Sequence, residues 1–232
     1  DKKFLMSKIN YDGFELDTFD KAKNFRKYQI YYLKNFIKDP FLEVGAGQGG
    51  LVNLYKKFTN DITLLEPDSK LFHFLKKKFR KKNIKIKNQT IGKIRSKYQT
   101  IIYFDVLEHI KNDLREVKTA SKKIKKNGRL IFNVPAHQLF YNKFDKAVGH
   151  FKRYNKKDFR EIEKKTDLKI EKLIYYDSIG LLFLILNKIF KLKETNLKNK
   201  VYFWNMLIPL SKIIDKLTLN KFGKSLLCVF TK

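Results

Sequence analysis

Residues 41–50, FLEVGAGQGG, constrain the fold of this chain more than any other stretch. Phe41 to Val44 are apolar or β-branched around one acid, Glu43, and read as a short buried strand. Four glycines then fall within six positions, Gly45, Gly47, Gly49 and Gly50, and helical spacing follows from Leu51 to Phe58. Strand, glycine turn and helix make the first half of a βαβ nucleotide-binding unit. Such a turn is tight, and a Cβ in it would hold a bound ligand off the backbone.

The spelling fits two patterns. Gly45, Gly47 and Gly50 satisfy the G-x-G-x-x-G dinucleotide fingerprint. Glu43, Gly45, Gly47 and Gly49 resemble the acidic-x-G-x-G-x-G pattern of class I S-adenosylmethionine (SAM) methyltransferases. The acid two residues before the first glycine separates them. A carboxylate at the end of the first strand suits the ammonium of a methionine tail, whereas beside a pyrophosphate it is repulsive.

Further along, the remaining elements alternate. Helical spacing over 14–38 (Phe25, Tyr28, Tyr32, Leu33, Phe36) stops at Asp39–Pro40. Strands are expected at Ile62–Leu65, Ile84–Ile86 (an edge), Tyr98–Phe104, Arg129–Val134, Leu168–Tyr176 and Ser225–Phe230. Helices are expected from an N-cap at Ser69 to about Arg80, over Asp113–Lys125 with Asn127–Gly128 as C-cap, and over Asp158–Lys165, 179–192 and 200–218. This order predicts an α/β, Rossmann-like, doubly wound and mostly parallel seven-stranded sheet. Helices cover both its faces, and a helical insertion, 178–222, precedes the last strand. With no repeat and no Pro/Gly/Ser linker, residues 1–232 are expected to form a single domain, 1–38 being its N-terminal helical segment.

Composition excludes some classes. A hydrophobic content of 43% with 15% aromatics rules out a disordered chain. The formal charge of +29 invites a nucleic-acid reading, yet only seven of the 52 basic residues are arginine. Lysine is spread over helix faces such as Lys76–Lys78 and Lys122–Lys126, so most of it reads as solvated surface and nucleic acid is not the expected partner. The lone cysteine, Cys228, permits no internal disulfide, and no secretory leader is visible near Asp1. A cytoplasmic setting is expected, including the inner face of the membrane.

In doubly wound sheets the ligand lies outside the carboxyl ends of the strands, beside strand one. The glycine turn, Glu66, Asp105 and Pro135 all fall at that level. Glu66, 21 residues beyond Gly45, suits the two hydroxyls of a ribose. Asp105-Val106-Leu107-Glu108-His109 puts two acids and a histidine in five residues, but the spacing fits no common zinc or calcium pattern, and no metal is expected.

Taken in order, FLEVGAGQGG, LLEPD, FDVLEHI and KKNGRLIFNVPA resemble the motif series of class I SAM-dependent methyltransferases over roughly residues 25–177. The resemblance implies SAM as cofactor, S-adenosylhomocysteine (SAH) as product, and a cofactor site of Glu43, Gly45, Ala46, Gly47, Gly49, Glu66, Pro67, Asp105 and Val106, with His109 fitting either the methionine end of that site or a helix cap. Where many relatives carry an acid after strand three for the adenine amine, this chain reads Asn88-Gln89-Thr90, which leaves Gln89 or a backbone carbonyl to accept that bond.

Residues 135–154, PAHQLFYNKFDKAVGHFKRY, resemble the PA-(aromatic)-D-x-x-x-GH-x-R-R-Y element of a methyltransferase subgroup of type 11/12 character, with Lys152 in place of the first arginine. Loops this long are usually binding loops or lids. His150 suits removal of an acceptor proton, with Asp145 and Tyr154 as catalytic companions. His137, Tyr141 and Arg153 suit an anionic acceptor. The same residues also fit a structural corner in which Asp145 pairs with Arg153.

The apolar run 179–190, IGLLFLILNKIF, is too short to span a bilayer. With Trp204–Leu210 it reads as a helical hairpin, used either as core or dimer contact or as a lid or interfacial membrane helix. The expected function is methyl transfer to an O or N nucleophile of a small-molecule, sugar-like or lipid-linked acceptor. The alternatives are an NAD(P) oxidoreductase using the same glycines and a basic RNA- or membrane-binding protein on a degenerate nucleotide fold.

Overall fold

The structure, a computed structural model, describes residues 16–190 and 196–232. The expected helical residues 14 and 15 and positions 191–195 of the insertion lie outside that range. Seven strands form one sheet: β1 (Phe41–Val44), β2 (Ile62–Leu65), β3 (Ile84–Lys87), β4 (Tyr98–Phe104), β5 (Ile124–Pro135), β6 (Lys169–Tyr176) and β7 (Ser225–Thr231). Their order is β3-β2-β1-β4-β5-β7-β6, parallel from β3 to β5, with β7 antiparallel to both neighbours. This is the doubly wound sheet the sequence implies.

Successive side chains of a strand point to opposite faces, and here both faces are covered. Phe41, Leu64, Ile102, Ile131 and Val229 enter one apolar cluster, and Leu42, Leu65, Ile101, Leu130 and Phe230 the other. The first cluster is closed by α1 (Leu16–Asp20), α2 (Lys23–Leu33), the short α3 (Val52–Tyr55) and α4 (Ser69–Lys78). The second is closed by α5 (Asp113–Ser121), and, after the small α6 (Lys143–Ala147), by α7 (Lys156–Lys164). The insertion is a pair of helices, α8 (Ser178–Phe190) and α9 (Leu197–Leu217), and α9 packs back on α2 through Val201, Trp204 and Ile208.

Four local expectations are corrected. The helix expected over 14–38 is broken into α1 and α2, with a 3-10 turn at Lys34–Phe36. The helix after the glycines is only four residues long. The cap of α4 is Asp68, whose carboxylate accepts the amide of Leu71, and not Ser69. Finally, α5 ends at Ser121, so Asn127–Gly128 caps no helix. Those two residues belong to a bulge inside β5, where residues 125–128 stand opposite Gln99 between the pairs Tyr98–Ile124 and Thr100–Arg129. Asn127 has φ 60, and a Cβ on Gly128 would stand 2.8 Å from the Gln99 carbonyl. A positive-φ residue followed by glycine serves a bulge as well as a helix end, which is why the sequence misleads there.

Candidate active site

The glycine turn follows β1 at the rim of the sheet. Gly45, Gly47 and Gly49 all have positive φ (68, 54 and 70), a region costly for other residues. The amides of Gly45 and Ala46 both donate to the Leu65 carbonyl at 2.9 and 3.0 Å, which pins the turn to the end of β2. Two glycines are required for reasons other than a ligand. A Cβ on Gly49 would meet the Phe79 ring at 2.5 Å, and one on Gly50 would meet the Asp20 carboxylate at 2.0 Å. A Cβ on Gly45 would run into Val106 at 2.7 Å, so the turns after β1 and β4 touch at this point.

Glu66 closes the other side. Its Oε2 accepts the Gly47 amide at 2.8 Å and its Oε1 the Asp68 amide at 2.9 Å. Each oxygen keeps a second lone pair for a ligand hydroxyl. Burial raises its pKa against the pull of those two amides. Pro67 is held through its carbonyl, which together with that of Glu66 accepts from the Asn88 amide side chain. Gln89 is half-buried beside them.

Glu43 is 4% exposed and accepts the Tyr55 hydroxyl at 2.5 Å. Burial pushes its pKa up to about 7, opposed by Tyr55 and Arg26. A carboxylate enclosed in this way acts on a ligand's charge through space and not by open contact.

Asp105 stands at the end of β4 with φ 55, exposed at the rim. Asn133 donates to its Oδ1 at 2.7 Å and Arg26 Nη1 to its Oδ2 at 3.3 Å; the Tyr176 hydroxyl in turn donates to Asn133 at 2.5 Å. Arg26 also reaches Asp20 at 3.4 Å, while its buried Nε has no acceptor. Sequence reasoning missed Arg26, Asn133 and Tyr176. Arg26 sits on a helix before the first motif, and no local pattern marks it as belonging to this rim.

The loop after β5 folds into a compact charged knot. Asp145 is fully buried and accepts Arg153 Nε at 2.9 and 3.0 Å, and His150 Nδ1 lies 2.8 Å from its Oδ1. Burial works against the charged carboxylate, but His150 and Arg153 outweigh it and hold Asp145 below its ordinary pKa. Asp145 also accepts the Asn142 amide as part of a capping box on α6, and Tyr141 donates to the His150 carbonyl at 2.7 Å.

Tyr154 stands apart from this group. It is fully buried, with its hydroxyl 3.0 Å from Asp113 and 3.3 Å from the Leu107 carbonyl, and burial drives its pKa upward. Its surroundings are those of a core residue. His137, at φ 63, stacks on Tyr175 with centroids 4.6 Å apart and bonds the Gly223 carbonyl at 3.0 Å.

The knot meets the rim that carries the glycine turn through the 3-10 turn Leu107–His109. The Glu108 carbonyl accepts the Phe151 amide at 2.7 Å, and the rings of His109 and His150 meet edge to face at 4.7 Å. Burial, with His150 adding to it, brings His109 down to about 4. Glu108 is 1% exposed, and burial beside Asp105 raises its carboxyl well above the ordinary range.

A sheet wound both ways from β1, with a glycine turn and two carboxylates on one rim, is the class I methyltransferase fold. The chain belongs to the methyltransferase domain family, whose model matches residues 17–173, more than half of its 232 residues. No curated protein sequence matches it. Among solved structures it is similar to the N-methyltransferase NodS from Bradyrhizobium japonicum in complex with SAH (12% identity, TM-score 0.60, covering 97% of this chain and 93% of that one). It is also similar to a SAM-dependent methyltransferase from Clostridium acetobutylicum (15% identity, TM-score 0.57, 90% and 91% covered). A third is magnesium protoporphyrin IX methyltransferase from Synechocystis with bound SAM (12% identity, TM-score 0.56, 93% and 80% covered). At these identities the likeness is one of fold.

Proposed function

We propose that this methyltransferase binds SAM along the β1–β2–β4 rim and transfers its methyl group to an O or N nucleophile of a small-molecule, sugar-like or lipid-linked acceptor. The observation that carries the reading is the Glu66–Gly47 bond, which places a carboxylate with spare lone pairs beside a turn of three positive-φ glycines. The residues suit the cofactor: Glu66 would hold the ribose hydroxyls, and Glu43 and Asp105, the latter paired with Arg26, would supply negative charge for the ammonium. SAM brings an already activated methyl group, so the protein's work is alignment and, for a hydroxyl acceptor, proton removal.

His150 supports that second task. With Nδ1–H donating to the Asp145 carboxylate, Nε2 is the nitrogen left to accept a proton, so Asp145 is a positioning residue. Arg153 gives its Nε to both carboxylate oxygens of Asp145, while its Nη1 has no acceptor and suits an anionic methyl acceptor.

The α8–α9 pair supports a peripheral contact with the inner membrane face. It exposes Phe190, Phe203, Met206, Ile213 and Leu217, each 55% exposed or more, among Lys188, Lys198, Lys212 and Lys216. Among the described residues no helix is long and apolar enough to cross a membrane. An open groove of about 240 Å³ between Leu139–Asn142 and α8 (Leu184, Asn187, Lys188) joins this surface to the acceptor loop.

Calorimetry with SAH on the folded chain tests the reading. Binding tighter than ~100 µM is expected, and its absence at that concentration sinks the proposal. A thermal shift with NADH but not SAH would instead select the oxidoreductase alternative.

A further inference from the structure

Glu108, His109 and His150 form a group where the turn after β4 meets the loop after β5. One ligand atom from each lies within 4.8 Å of those of the other two, and His150 Nε2 is 3.9 Å from Glu108 Oε1. Glu108 is 1% exposed, yet beyond its own backbone amide neither carboxylate oxygen has a hydrogen-bond partner. A carboxylate buried without partners is costly, and it persists where something absent from the bare chain completes it.

The two histidines are held as ligands are held. His150 gives its Nδ1 to the buried Asp145, and His109 is bonded to the Gly149 backbone. In each ring one nitrogen is tethered, which orients the other and fixes its tautomer. Arg153 in turn locks Asp145 with two contacts, so the outer layer is rigid.

We propose that Glu108, His109 and His150 bind a divalent transition-metal ion. Two imidazole nitrogens and one carboxylate suit zinc, manganese or iron(II) better than calcium or magnesium, which prefer all-oxygen sets. Adjacent spacing of Glu108 and His109 on a 3-10 turn matches no common metal motif, and the third ligand arrives from 41 residues further along the sequence, which is why the sequence pointed to no metal.

The assignment deepens the methyl-transfer reading, on which it rests only for what the ion is used for. Three protein ligands leave coordination positions open, and an oxygen acceptor occupying one gives up its proton more readily. The ion then takes over from His150 as the agent of deprotonation, and the acceptor class narrows to molecules that present an oxygen donor. The methyl carbon forms its bond to that oxygen as the carbon–sulfur bond breaks toward sulfur, and the proton passes to solvent.

The test is calorimetry of the chelator-dialysed full chain with Zn2+, repeated with Co2+ while the visible absorption of a histidine-ligated ion is followed. About one ion per chain is expected, with affinity falling ~10–100-fold in both Glu108→Gln and His150→Gln. Absence of Zn2+ and Co2+ binding at ~1 mM, or unchanged affinity in the variants, overturns the assignment. Should one variant fail to fold by circular dichroism, the other carries the same readout. SAH binding is measured on the same metal-free sample. A chain that takes SAH but no ion sinks this inference alone, and one that takes the ion but not SAH sinks only the cofactor reading.

Discussion

Glu66 Oε2 accepts the backbone amide of Gly47 at 2.8 Å, so the carboxylate that shapes the glycine turn is the one proposed to hold the cofactor's ribose. Replacing it therefore damages site and turn together. Glu66→Ala should weaken SAH binding by ~10–100-fold, since hydrogen bonds to a charged group are worth ~1.5–3 kcal/mol. His150→Ala should leave SAH affinity within about threefold and lower turnover instead. Equal losses of affinity by calorimetry would refute the division between cofactor rim and acceptor loop.

The raised pKa of Glu43 gives a pH dependence with a definite sign. Its folded value, about 7, lies above the ordinary 4.5, so the folded chain holds an extra proton between those values. The stability this contributes is fully present below pH 4.5 and is lost as pH rises through 7. The ionised form faces Tyr55, Arg26, Asp20 and Glu66, and it favours a cationic amino-acid tail. SAH affinity should therefore rise between pH 6 and pH 8 in the wild-type chain and flatten in Glu43→Gln. A rise of equal size in Glu43→Gln would assign it to another group.

Gly49 is constrained by Phe79 and by its own backbone. Gly49→Ala places a methyl group 2.5 Å from the ring at φ 70, and a loss of ~2–4 kcal/mol is expected in urea unfolding. Pairing it with Phe79→Leu should recover part of the loss, because only the steric component is relieved. No recovery would place the whole cost in the backbone.

The apolar face of α8–α9 makes a further prediction. The chain should co-sediment with vesicles containing about 30% phosphatidylserine, less so at ~0.5 M salt, and Phe203→Ser with Met206→Ser should weaken attachment several-fold. Equal binding to neutral vesicles at both salt levels would remove the lysines from the account. Failure to bind either vesicle would return the face to a protein contact.

What could be read from the sequence was local. The strands, the glycine turn, Glu66 and Asp105 each announce themselves within a few residues, because period-two apolar runs and turn chemistry are short-range signals. The rest depends on distant encounters. Arg26 meets Asp105 across 79 positions and Trp204 meets Asp177 across 27. Asn127–Gly128 is ambiguous in the sequence because one dipeptide serves two kinds of backbone reversal, and only pairing with β4 decides between them. Tyr154 looked like a companion of His150 in the one-dimensional motif, but its ring turns inward beneath Leu107.

Asp177, fully buried between β6 and α8, accepts Trp204 Nε1 at 3.0 Å and also pairs with Lys224 at 3.4 Å, one residue before β7. Asp215 adds a second anchor, taking the Asp177 amide at 2.6 Å and the Tyr28 hydroxyl at 2.7 Å. The paired helices are thus bolted to the end of β6 and the start of β7, and they cannot swing like a loose flap.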